Sequence, residues 1–224
     1  MLNRKYLLTQ IGARTTTKLI DRFNSWVNHL EVGRWMRDKG FDTSTRVLSR
    51  EQLFDMLAGR IDNQKVLYLE FGVHRGASIR YWSKLLNNPQ SHLHGFDSFE
   101  GLPENWNLRN PKGHFATGGA FPEIDDPRVR FFKGWFQDTL PSYKPPDHEV
   151  LVINIDCDLY SSTIFVLNAL RTLMKPGAFI YFDEFYDRSH EMKAFDEFLS
   201  DSQLRFELVG GDLGLASTVF RCVG

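Results

Sequence analysis

The sequence predicts an α/β protein built on a doubly wound, mostly parallel sheet, and three observations lead there. Short apolar runs alternate with helical stretches from Val66 to the C-terminus, the pattern of strand, helix and strand repeated. Those runs lack strict alternation, as strands buried on both faces do. The last two runs are joined by Gly210-Gly211-Asp212-Leu213-Gly214, too short for a helical crossover, so the final pair must be antiparallel.

Taken in order, the first sixty-odd residues contain no convincing strand. Trp26, Val27, Leu30, Val32, Trp35 and Met36, then Leu53, Phe54, Met56 and Leu57, recur at helical spacings. Ser49-Arg50-Glu51-Gln52 looks like a helix start with a serine cap. Residues 1–65 therefore read as a helical extension of two or three helices, packed on or folded over the body at 66–224. Within the body, seven strands are expected: 66–71, 91–97, 128–133, 150–156, 178–183, 205–209 and 216–222. Helices are expected over 78–86, 162–174 and 191–199, the second stopped by Lys175-Pro176-Gly177. Between the second and third strands, Ser98 to Pro127 is rich in Gly and Pro. A structureless loop of that length is usually functional, and at the carboxyl ends of the strands it would form part of a substrate wall.

Composition narrows the function classes. The chain has 224 residues, 42% of them hydrophobic and 14% aromatic, enough to build a core, which excludes a disordered chain. Twenty-seven basic and 28 acidic residues give a net charge of -1, so no basic excess marks a nucleic-acid binder. The stretch from Met1 to Arg22 is locally basic, with Arg4, Lys5, Arg14, Lys18 and Arg22, and reads as a solvated helix face. Two cysteines cannot build a disulfide framework, and no apolar run reaches the ~18 residues that span a bilayer. The expectation is a soluble cytoplasmic protein with a small-molecule partner, without nucleic acid or membrane, and compatible with a homo-oligomer.

The chemistry is expected at the carboxyl ends of the strands. Glu70-Phe71-Gly72-Val73-His74-Arg75-Gly76-Ala77-Ser78 follows the first of them. Gly72 and Gly76 permit a tight turn, and Ser78 is a candidate cap for the next helix. A dinucleotide fingerprint needs glycine at its first, third and sixth positions; here these are Gly72, His74 and Ala77, so NAD and FAD are disfavoured. An acidic residue before the first glycine, with another glycine four residues on, instead suits S-adenosylmethionine (SAM), whose ammonium group would meet the carboxylate. Asp97, with Ser98 after it, ends the second strand; an acid there can accept both ribose hydroxyls or cap a turn. Gly134-Trp135-Phe136 places aromatic rings where an adenine needs a flat partner. Asp156 and Asp158 follow the fourth strand, and Asp183 and Glu184 end the fifth. Four carboxylates on one edge repel one another unless protonated, paired or bound to a cation, and oxygen-only donors favour magnesium. Asp158 reads as a cap of the following helix; Asp156 and Asp183 read as functional, with Asp156 either a general base or a metal ligand.

Five ordered motifs then carry a resemblance: Glu70 to Ser78, His94 to Pro103, Lys133 to Pro141, Ile155 to Thr163 and Phe182 to Phe185. Together they resemble the macrocin O-methyltransferase family of class I SAM-dependent methyltransferases, from about Val66 to the C-terminus. The resemblance implies a Rossmann-like fold and methyl transfer to a hydroxyl, often on a sugar of a natural product. It also implies magnesium on Asp156, Asp183 and Glu184, the last a glutamate where the family usually has aspartate. Two rivals are a dehydrogenase or epimerase on the same fold and a non-catalytic adenosyl-ligand-binding protein. The stretch Trp26 to Leu57 is expected to cover the cofactor mouth or to form a subunit contact.

Overall fold

The computed structural model describes residues 3–61, 63–107 and 109–224; Met1 and Leu2, at the head of the basic stretch, lie outside it. Strands of the body occupy β2 (Val66–Phe71), β3 (His92–Asp97), β4 (Val129–Lys133), β5 (Val150–Ile155), β6 (Phe179–Phe182), β7 (Phe206–Asp212) and β8 (Thr218–Cys222), within a few residues of expectation. An eighth strand, β1 (Arg46–Val47), pairs in parallel with Gly211 and Asp212 of β7. Two residues are too few to show an alternating pattern, which is why this segment reads as non-strand in the sequence. The order is β1-β7-β8-β6-β5-β2-β3-β4. Only β8 runs against its neighbours, antiparallel to both β6 and β7.

Chain order reverses at the centre, where β2 pairs with β3 on one side and β5 on the other. The crevice beyond the carboxyl ends of such a pair is where open α/β sheets bind ligands. Both strands are buried along their whole length, and their pleat splits the core in two. Leu67, Leu69 and Phe71 face one layer with Leu151, Ile153 and Ile155, while Val66 and Tyr68 face the other with Val150 and Val152. The first layer is covered by α6 (Tyr160–Leu170), α7 (Glu191–Ser202) and the C-terminal end of α2 (Thr17–Lys39), through Val32 and Met36. The second is covered by α3 (Arg50–Arg60) and α4 (Ala77–Leu85). A short α1 (Arg4–Gly12) buries nothing, and a single turn α5 (Phe136–Thr139) follows β4.

The N-terminal region thus contributes three helices, and α3 is embedded in the body. Ser49 caps it by accepting from the Gln52 amide, as the sequence indicates. Its Phe54 is 1% exposed and packs at 4.8–5.5 Å from the rings of Tyr181 and Trp82. Phe54→Ala should therefore cost about 3–5 kcal/mol of stability in urea unfolding. A loss below 1 kcal/mol would show that α3 is only laid over the body.

Candidate active site

A cleft of about 320 Å³ opens at the reversal point, lined by the turn after β2, the ends of β3, β5 and β6, and α5. It gathers every residue singled out in the sequence: Glu70, Gly72, Ser78, Asp97, Ser98, Trp135, Asp156, Asp158, Asp183 and Glu184, with only Gly76 set just behind the wall. Leu102, Pro103 and Phe115 of the long loop line it as well, so the loop does form a wall.

Glycine is needed at position 72 by close approach. Gly72 has φ +92°, and a Cβ there would stand 1.8 Å from the carbonyl oxygen of Asp156. No side chain fits, so the β2 turn can lie against the end of β5 only with glycine. Gly76, at φ +72°, is the N-cap of α4, which corrects the expectation for Ser78. Ser78 sits inside the first turn, buried, and makes no cap bond. Asp97 fulfils the turn-cap reading: Oδ2 accepts from the Val73 and His74 amides, both at 2.8 Å, and Oδ1 from the Phe99 amide at 2.6 Å. These bonds hold the acidic group against the cleft, occupy both lone pairs of Oδ2 and leave one on Oδ1. Phe136 packs edge-on to Phe71 at 5.5 Å and also lines the cleft. Trp135 lines the cleft half-buried, with its ring turned to no aromatic neighbour among the described residues.

The carboxylates form the opposite wall. Glu70 is 1% exposed and accepts from Tyr68 Oη at 2.5 Å, and burial raises its pKa to about 8. Burial, then Asp183 and Asp158, push Asp156 well above the ordinary aspartate range. Burial with Asp183 raises Asp158 to about 7, and burial with Asp158 raises Glu184 to about 8. Glu191, the first residue of α7, is 1% exposed and also raised by burial; one of its oxygens accepts from the Glu184 amide. Glu184 Oε2 and Glu191 Oε1 are buried without partners. The cap reading of Asp158 is overturned: Leu159 is the N-cap of α6, and the side chain that meets the helix's first amide is His190, whose Nδ1 accepts from the Tyr160 amide at 3.2 Å. Asp158 instead faces the cleft at φ +62°.

One cation meets this wall. Arg50, from the first turn of α3, places Nη1 3.4 Å from Asp183 Oδ2, and Tyr181 Oη donates to Asp183 Oδ1. The sequence shows Arg50 only as part of a helix start. Its usable signal is that a cation in a helix's first turn opposes the helix dipole. Of the expected cover, Trp26 to Leu57, Arg50 alone lines the cleft among the described residues. The all-oxygen donor set and the two unpartnered carboxylate oxygens suit a hard cation in kind. Among the described residues, however, no three His, Cys, Asp or Glu side chains are gathered to hold one as they stand.

Residues 119–217 match the family model described as macrocin-O-methyltransferase (TylF). The resemblance drawn from five motifs is to this same family. Over 137 residues the chain is 31% identical to an 8-demethyl-8-(2,3-dimethoxy-alpha-L-rhamnosyl)-tetracenomycin-C 4'-O-methyltransferase from Streptomyces olivaceus, covering 52% of each. The chain thus spans about half the length of that curated relative. The solved structure of CalS11, a calicheamicin methyltransferase, superimposes with a TM-score of 0.60 at 25% identity, over 78% of this chain and 80% of that one. A further solved structure, described as a Mg-SAM complex, shares the fold at 14% identity and a TM-score of 0.54, over 78% of this chain and 71% of that one.

The raised carboxylates have a consequence for stability. Groups whose folded pKa lies above the unfolded value stabilise the fold at low pH, and that contribution is lost as pH rises through the folded pKa. Glu70, Asp158 and Glu184 set the window from about 4 to about 8. The ligand-free protein should melt at progressively lower temperature as pH rises from 5 to 8, and Glu184→Gln should flatten the slope. A melting temperature that rises over that range would refute the arrangement.

Proposed function

We propose that the protein is a SAM-dependent O-methyltransferase that methylates a hydroxyl of a small molecule, of the sugar or natural-product class. The observation that carries this reading is one cleft with two unlike walls. One wall offers a glycine turn, an anchored acid and a free indole; the other offers a row of desolvated carboxylates. The first suits an adenosyl ligand: Asp97 for the ribose hydroxyls, Ser98 beside it, and Trp135 for the adenine face. The amino-acid end would lie against the Gly72–Gly76 turn, with Glu70 near the ammonium and Ser78 behind it.

The second wall suits the acceptor. Methyl transfer from a sulfonium requires the hydroxyl oxygen in line and relieved of its proton, and positioning supplies much of the rate. A general base works best when its pKa lies near the working pH. Asp158, raised to about 7, meets that condition better than Asp156, which burial with Asp183, Asp158 and Glu70 around it pushes well above the ordinary range. Magnesium would be held by Asp156, Asp183 and Glu184, and when bound would make the acceptor hydroxyl more acidic. The oxygen-only donors and a fold neighbour solved with magnesium and SAM support that assignment. The dehydrogenase alternative is weakened by His74 at the position where a dinucleotide fingerprint places glycine. A cytoplasmic location belongs to the same proposal, and no described helix is long and apolar enough to cross a membrane.

Calorimetry should record binding of SAM or S-adenosylhomocysteine and none of NAD. Asp97→Ala should weaken binding by about 1–3 kcal/mol; unchanged affinity would remove the ribose assignment. For the metal, EDTA should abolish methyl transfer, magnesium should restore it, and Asp156→Asn should be inactive yet still bind cofactor. Full activity in EDTA would leave a metal-free site with a carboxylate base.

A further inference from the structure

The first helices of the chain are inside out. Of fifteen exposed large hydrophobic side chains among the described residues, ten lie between Tyr6 and Leu30. Six of them, Leu19, Ile20, Phe23, Trp26, Val27 and Leu30, form one stripe along the N-terminal half of α2, each between 38% and 74% exposed. At 100° per residue they span an arc of roughly 120°. The side of that half that meets the body is polar: Asp21 pairs with Arg109 of the long loop, and His29 lies 5.0 Å from the Tyr186 ring. Further along, the same helix buries Val32 and Met36, which project opposite the stripe. The apolar stripe therefore points away from the protein because the other side is already docked.

We propose that this stripe is covered by a second copy of the chain, giving a two-fold dimer in which α2 packs against its counterpart. Three observations favour that occupant. The six side chains of the stripe present on the order of 450–600 Å², taking a large apolar residue at ~150–200 Å². Tyr6, Leu7, Leu8 and Ile11 of α1 bring the exposed apolar surface of the first two helices to about 800–1,000 Å², against the roughly 800 Å² that a standard stable interface takes from each partner. Leu19, Phe23, Trp26 and Leu30 are spaced by four, three and four residues, the seam that interlocks with another helix. A two-fold axis supplies that helix without any further partner, because the same stripe meets itself. An anionic lipid surface is the competing occupant, given the local bases. Lys18, though, projects roughly 140° from the centre of the stripe at 100° per residue, on the body-facing side.

Light scattering on the full chain should give twice the 26.0 kDa chain mass at micromolar concentration, and Phe23→Ser with Trp26→Ser should give a monomer with unchanged circular dichroism. Should the double variant not fold, single cysteines decide the matter. Both natural cysteines are buried, so an added surface thiol reports alone. Val27→Cys, on the stripe, should form a disulfide-linked dimer under mild oxidation, and Asn28→Cys, off it, should not. A monomeric wild-type chain, equal cross-linking at both positions, or a monomer that sediments with phosphatidylglycerol vesicles but not with phosphatidylcholine ones would overturn the proposal.

Discussion

The cleft depends on one close contact, the Gly72 backbone against the carbonyl of Asp156. That contact lets the turn after β2 lie on the end of β5, and so brings a ligand-binding loop within reach of a row of carboxylates. Any Cβ at position 72 would separate them. Because β5 and β6 run parallel in register, Asp156 and Asp183 then leave the sheet on the same edge. The edge is desolvated by α3, α7 and the long loop, and desolvation is what turns Asp156, Asp158 and Glu184 into groups that hold protons near neutral pH.

Such crowding is costly to a resting protein and useful to an enzyme. Each buried carboxylate resists ionisation until a positive charge arrives, and besides Arg75 at the rim the carboxylate wall has two sources of one. Arg50 is built in, half-exposed, and held against Asp183. The other source is a ligand: an ammonium and a sulfonium from SAM, or a divalent ion. On this view the N-terminal region takes part in the chemistry through one side chain while the rest of it serves packing. α3 fills the core with Phe54 and Leu57, and α2 touches the long loop through Asp21 and Arg109. The first turn of α3 therefore links the fold's stability to the charge balance of the cleft.

Much of the fold was legible because its central strands β2, β5 and β6 are buried along their whole length and the turns carry Gly and Pro. β1 was not, since a two-residue pairing leaves no periodic trace. The cofactor wall was legible from the glycines and from Asp97, whose position at a strand end admits both a cap and a ribose contact. Ser78 and Asp158 were misread as caps for a common reason: cap preference is a statement about residue type, while the helix starts are fixed by backbone geometry at Gly76 and Leu159. Glu191 was hidden because an acid in a first helical turn is ordinary. Arg50 was hidden although a base there is not.

Burial and mutual repulsion keep Glu70, Asp156, Asp158 and Glu184 protonated in the free protein, and these groups give up protons when a cation binds. Infrared difference spectroscopy reads this directly from the carbonyl band of protonated carboxylic acids. The band should be present at pH 6.5 in the ligand-free protein, smaller in Glu184→Gln, and reduced when S-adenosylmethionine and magnesium are added, with Glu191, outside the cleft lining, keeping its share. A ligand-free protein that already lacks the band at pH 6.5 would contradict it.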